Sequence, residues 1–148
     1  EVLEELSYIG ADLVINTLNM LSNNTITPKK QDNEHATFAP KIKIEDCKIN
    51  WGNSAENIHN QIRAFSPTPG AFTFYNNKRI KLFESEIVNK SKDIKLEPGH
   101  IIYKTPLLQV GTGTKPINIH HIQLEGKKQL PASQFVLGLP EIIGDSFN

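Results

Sequence analysis

Lysine and arginine are the residues in this chain most ready to act on a partner, and they come in short clusters. These are Lys41/Lys43, Lys78/Arg79/Lys81, Lys90/Lys92/Lys95 and Lys127/Lys128. Cations so grouped suit phosphate, because neutralising a phosphate backbone releases condensed counterions and supplies affinity without sequence choice. Taken alone, each cluster reads more readily as solvated surface. The charge is also split by region. Residues 1–28 hold four acidic residues and no Lys or Arg, so all sixteen basic residues lie from Lys29 onward. Against twelve acidic ones they leave that region at net +4, within a chain whose formal charge is zero. An anionic partner for the second part is the physical implication.

Other candidate groups are weaker. His120-His121 resembles a metal pair, but neighbouring strand residues point to opposite faces, so one should face the core and one the solvent. No carboxylate or cysteine cluster accompanies them, and no metal is expected. His59 has no nucleophile-and-base set around it in the sequence. "GTGTK" (111–115) lacks the spacing of a phosphate loop and sits between strands, which makes it a hairpin turn. The lone Cys47 rules out an internal disulfide and a cysteine zinc site. Trp51, Phe65, Phe72 and Phe74 are types that stack on bases, yet their positions at a corner and at alternate strand sites predict core. Arg63 is expected to brace that corner.

The elements that would position these groups follow from pattern. Leu3, Leu6, Leu13, Val14, Leu18 and Leu21 recur at helical spacing and predict an amphipathic helix over 3–21, ended by "SNNT", with an apolar stripe that must lie against something. Residues 26–43 have no sustained period and read as an extended linker. "CKINW" (47–51) reads as a short strand. Ser54 caps a helix through Phe65, and Pro67, Pro69 and Gly70 then turn the chain into strands. "AFTFY" and "KRIKLFESEIV" flank Asn76-Asn77, which tolerate the positive φ of a tight hairpin. "GHIIYK", "LLQVGT" and "INIHHIQL" complete the strands, and "PASQFVLG" is a short helix. The expected class is mainly β with helices: an OB-like barrel of five to six strands, preceded by a helix and linker.

Several phrases occur in order along almost the whole chain: "TPKKQDNEHATFAPKIKIEDCKINW", "IHNQIRAFSPTPGAF", "KLFESEIV" and "QLEGKKQLPASQFVLG". Together they resemble the C-terminal half of the methionyl-tRNA formyltransferase family, with its Thr-Pro-x-x-Gln-Asp linker, Ala-Pro-Lys-Ile segment, proline corner and Gly-Lys-Lys ending. The chain departs at Asn50, where Asp usually precedes the tryptophan, and at Thr68, where Trp is common. It departs again at Thr114, in the place of Asp in a Thr-Gly-Asp-Gly turn.

The resemblance implies a division into three. Residues 1–25 would be the last helix of a Rossmann-like catalytic domain, 26–43 a linker, and 44–148 an OB-like tRNA-binding domain. It places the catalytic Asn, His and Asp and the pocket for the donor, 10-formyltetrahydrofolate, in that other domain, so this chain is expected to hold no catalytic, cofactor or metal residue. An opening "EVLEELS" without Met fits a chain that begins inside a helix. The implied partner is initiator tRNA, held through its backbone by Lys41, Lys43, Lys78, Arg79, Lys81, Lys127 and Lys128, with Lys90, Lys92 and Lys95 ranked lower. A monomer in the cytoplasm, or an organellar matrix, is expected, with no membrane contact. Two other origins remain open. Enzymes that formylate amino sugars on nucleotides share the module, although the lysine-rich linker and Gly-Lys-Lys ending argue against them. A stand-alone nucleic-acid-binding barrel is opposed by the apolar helix.

Overall fold

The structure, a computed structural model, describes residues 2–88, 96–104 and 106–148. Lys90, Lys92 and Lys95 lie outside the described residues. The chain divides into two compact units, Glu1–Pro40 and Lys41–Asn148.

The first unit is built on α1 (Val2–Ser22). Its end is made by Asn24, whose φ of 54° lets Thr25 N–H reach back to Met20 O at 2.9 Å and Asn24 N–H to Leu21 O at 3.1 Å. That pair of bonds closes a helix in the left-handed manner asparagine permits. The apolar stripe differs from expectation, because no α1 residue is buried and Leu6, Leu13 and Leu18 are more than half exposed. The rest of the unit is one turn of 3-10 helix, Asn33–His35, in otherwise irregular chain, where Phe38 is likewise exposed. In that turn Asp32 accepts from Glu34 N–H at 2.9 Å and meets His35 Nδ1 at 2.8 Å.

In the second unit a 3-10 turn, Glu45–Cys47, precedes α2 (Ala55–Phe65). The short strand expected at 47–51 is reduced to one bridge, Lys48 to Phe72, with Ile49 N–H donating to Phe72 O at 2.8 Å. Ser54 caps α2 by accepting from Asn57 N–H at 3.2 Å. A second acceptor comes from far along the chain, where Thr114 Oγ1 takes the Ala55 N–H at 3.0 Å. Two orphan donors of the first turn are thereby satisfied. The helix buries Ala55, Ile58 and Ile62. It ends before the proline corner, and Gly70, at φ +86°, donates back to Phe65 O.

Six strands form one antiparallel sheet: β1 (Phe72–Tyr75), β2 (Lys78–Ile87), β3 (Ile101–Lys104), β4 (Leu107–Val110), β5 (Ile117–Leu124) and β6 (Leu130–Pro131). Their order is β1-β2-β5-β4-β3, with β6 added to β5. Asn76 and Asn77, at φ 48° and 60°, make the expected hairpin between β1 and β2. The helix α3 (Ala132–Gly138) follows β6. This is a mainly-β fold of OB-like type whose sheet is open, since β1 and β3 do not pair.

The C-terminal segment joins those two edges. Phe74 and Asn148 exchange backbone hydrogen bonds at 3.1 and 2.9 Å on the β1 side. On the β3 side, Ile101 N–H donates to Asp145 O and Phe147 N–H to Gly99 O. Phe147 stacks on Trp51 at a centroid distance of 5.5 Å, with its edge toward Tyr75. Trp51 Nε1–H donates to Thr73 Oγ1, and the Thr73 hydroxyl donates to Asn148 O, both at 3.0 Å. A fully buried threonine is thus satisfied on both counts, as burial of a polar group demands. Inside lie Ile80, Leu82, Leu108, Val110, Ile117, Ile119 and Ile122. Among the described residues no helix is long and apolar enough to cross a membrane.

Candidate nucleic-acid interface

Strand alternation sorts the basic residues. Thr73 pairs with Ile80 on the core face, so Phe72 with Lys81 and Phe74 with Arg79 share the outer face of β1 and β2. Gln123 on β5 is opposite Lys81 and joins them. Lys78, opposite Tyr75, belongs to the other alternation and stands exposed at the end of the strand. The cluster expected from residues 78, 79 and 81 is therefore two outward cations with Lys78 set apart.

Aromatic rings support the cations on this face. Arg79 lies over Phe72 with its guanidinium 5.5 Å from the ring centroid, and Lys48 Nζ lies 5.4 Å from that of Phe74. Each such contact holds a long side chain at modest energy, about 0.5–1 kcal/mol at exposed sites. Phe72 and Phe74 meet edge to face at 5.6 Å and, unlike Trp51, stand outside the central core cluster. Phe72 is buried, as expected of a core residue, whereas Phe74 is half-buried. Phe65 does pack against the core, as does Trp51 within it.

The clusters distant in sequence become neighbours of this face. Lys41 and Lys43 line a cleft with Ile42, Ile44, Cys47 and Pro69. Next to Pro69, Gly70 approaches Lys81 so closely that an added Cβ would sit 3.0 Å from Lys81 Cδ. Arg79 and Lys81 border a second cleft with Gln123, Leu124, Glu125 and Gly126. Lys127 and Lys128 line a third with Ile122, Leu124, Leu130 and Phe135, and Leu124 borders both clefts. The turn between them is held by Lys127 N–H to Leu124 O at 3.0 Å and by Gln123 Nε2 to Lys127 O at 2.7 Å. Arg79 is ion-paired with Glu125.

Lys48, Gln123 and Glu125 were not singled out in the sequence. A lone Lys in "CKINW" carries no cluster signal, and only register shows Gln123 and Glu125 beside Arg79.

The histidines depart from expectation. Core-facing positions on β5 are 117, 119 and 122, with Leu124 packed against them, so the phase slips by one residue and both His120 and His121 face outward. Opposite the slip, Glu84 adopts φ +51° where the β2–β5 ladder skips a pair. His121 Nδ1 lies 3.0 Å from Glu84 and His120 Nε2 4.0 Å from Glu86. Among the described residues no three His, Cys, Asp or Glu side chains gather as metal ligands. His59 has a hydroxyl partner after all, with Nδ1 2.8 Å from Ser85 Oγ.

A family described as formyl transferase, C-terminal domain, matches residues 41–140. The methionyl-tRNA formyltransferase of Carboxydothermus hydrogenoformans is 38% identical over 150 residues, covering 99% of this chain and 47% of that protein. That of Thermodesulfovibrio yellowstonii is 40% identical over 135 residues, covering 91% and 42%. The chain spans just under half the length of these relatives. Among solved structures, a variant of HypX from Aquifex aeolicus superposes with a TM-score of 0.65 at 18% identity, over 88% of this chain and 23% of HypX. HypX in complex with tetrahydrofolic acid gives 0.62 at 19% identity, over 84% of this chain and 22% of HypX. At such identity the likeness concerns the fold alone.

Proposed function

Because this chain belongs to the formyl transferase C-terminal domain family, we propose that it is the tRNA-holding part of a methionyl-tRNA formyltransferase. Such an enzyme moves a formyl group from 10-formyltetrahydrofolate to the amine of initiator methionyl-tRNA, in the cytoplasm or an organellar matrix. The observation that carries the reading is the shared outer face of Lys81, Arg79 and Gln123, with Lys41/Lys43 and Lys127/Lys128 in adjoining clefts. Donors on a rigid sheet meet phosphate oxygens with little ordering cost. Such contacts fix position on an RNA and carry no sequence information.

Formyl transfer would be done by residues outside this chain. Among the described residues the Ser85–His59 contact lacks a carboxylate to complete a triad, and no cleft described above gathers an Asn, a His and an Asp. In this reading the donor binds outside this chain, and the clefts described above serve to hold RNA.

The test compares initiator and elongator tRNAs bound by the 148-residue chain, and assays the same chain for formyl transfer. We expect similar, weak binding of both tRNAs and no transfer. Selective capture of the initiator, or turnover, would overturn the proposal.

A further inference from the structure

We propose that Glu125 occupies, as an internal carboxylate, the place a phosphate takes on Arg79, so that RNA binding there is an exchange of one anion for another. This inference rests on the tRNA-holding reading and adds a residue that lowers affinity to it.

Arg79 is the fixed partner of the pair. Its side chain is one-third exposed, its guanidinium lies over Phe72, and its strand position is set between Phe74 and the β5 ladder. Glu125 is the movable one. Its side chain is 61% exposed, and it stands just beyond β5, before Gly126 at φ +72°. Its own backbone is tied to the strand by Glu125 N–H to Arg79 O at 3.1 Å. The carboxylate can therefore swing away through its side-chain torsions while the main chain stays in place.

The chemistry of the cleft favours an incoming anion. Guanidinium takes carboxylate and phosphate in the same forked geometry. Lys81 lies two residues from Arg79 on the same face, about 7 Å along the strand, and Gln123 faces Lys81 across the ladder. Among the described residues, Glu125 is the one acidic residue bordering the cleft. An exposed ion pair is worth at most about a fivefold change in an equilibrium constant, so a phosphate that also meets Lys81 can replace it.

Exchange has a signature that simple repulsion lacks. In the wild-type chain, Arg79 gives up one internal anion for one external anion, and the freed carboxylate regains hydration and a counterion, so the net counterion release at that contact is small. In Glu125→Gln the guanidinium is uncompensated and its contact counts in full. The test measures binding of mixed tRNA to the 148-residue chain over a range of salt. We expect Glu125→Gln to bind about three- to fivefold tighter, with a log–log salt slope steeper by roughly 0.7–0.9.

In an Arg79→Gln background the same change should have little effect, as a cycle on interacting residues requires. Glu141→Gln, an equal charge change whose wild-type side chain does not border the cleft, should leave the slope unaltered. Unchanged or weaker binding by Glu125→Gln, alongside salt-dependent binding by the wild type, overturns the exchange and leaves the tRNA-holding reading standing. An equal gain in the Arg79→Gln background overturns it too, by reducing Glu125 to a general repulsive charge. No salt-dependent RNA binding by either chain overturns both.

Discussion

Replacing Phe147 with Ala tests whether the C-terminal segment is the seam that closes the open sheet. Phe147 is 4% exposed, stacks on Trp51 with an interplanar angle of 14°, and sets its edge against Tyr75. Burying such a ring contributes about 1.5–3 kcal/mol by transfer from water. The cavity left behind raises the cost of Phe→Ala to about 3–5 kcal/mol in well-packed cores. Residue 147 lies on a short segment that can partly collapse, so we expect the lower end, about 3 kcal/mol. That is a large share of the 5–15 kcal/mol typical of a domain.

Urea unfolding followed by fluorescence is the assay, and the single tryptophan, Trp51, is the ring on which Phe147 stacks. With a slope of about 1–3 kcal/mol per M, the midpoint should fall by roughly 1–3 M. Leu137→Ala, at a residue 84% exposed, should stay within about 0.5 kcal/mol of wild type. A loss below about 1 kcal/mol for Phe147→Ala would refute the seam, because it would mean that β1 and β3 are held together without it.

Two further outcomes follow from the packing. Thr114→Val keeps the shape but removes the oxygen that accepts from Ala55 N–H, so thermal unfolding should show a loss of about 1 kcal/mol, with Thr114→Ser near wild type; equal behaviour of Val and Ser would contradict the cap. Burial, reinforced by the charge of Asp46, pushes the Cys47 thiol above its ordinary value of 9.0. The native chain should therefore resist iodoacetamide at mildly alkaline pH and react once unfolded. Because the unfolded thiol ionises first, Cys47 should reduce stability as pH rises above about 9, and a Cys47→Ala chain should lose less stability over that window.

What could be read from the sequence was local. Ser54 announced its helix, Asn76-Asn77 their hairpin, and the two prolines with Gly70 their corner, because each acts within a few residues of itself. The basic cluster was legible as Lys78, Arg79 and Lys81 together, and only the strand register separates Lys78 from the other two. The features that escaped depend on distant partners. The seam at 145–148 forms through a few backbone bonds to residues such as Phe74 and Ile101, which leave no period in the sequence. The change of phase at His120 coincides with the positive φ of Glu84 on the facing strand. The second cap on α2 comes from Thr114, which lies far along the chain from Ala55 and carries no local helix signal. Glu125 carries no signal at all until register brings it to Arg79. The stripe on α1 was legible as a helix face, and its partner was implied only through the family resemblance; no α1 residue is buried here.

The measurement closest to the proposed function is the salt dependence of tRNA binding by the chain and by an Arg79→Gln, Lys81→Gln pair of variants. Each neutralised phosphate releases counterions, so log affinity should fall linearly with log salt. Lys81→Gln should shallow the slope by about one unit, and Arg79→Gln by less, since its charge is already paired with Glu125. Both should weaken initiator and elongator tRNAs alike. Binding that ignores salt, or slopes identical in wild type and both variants, would contradict a phosphate-holding face on β2.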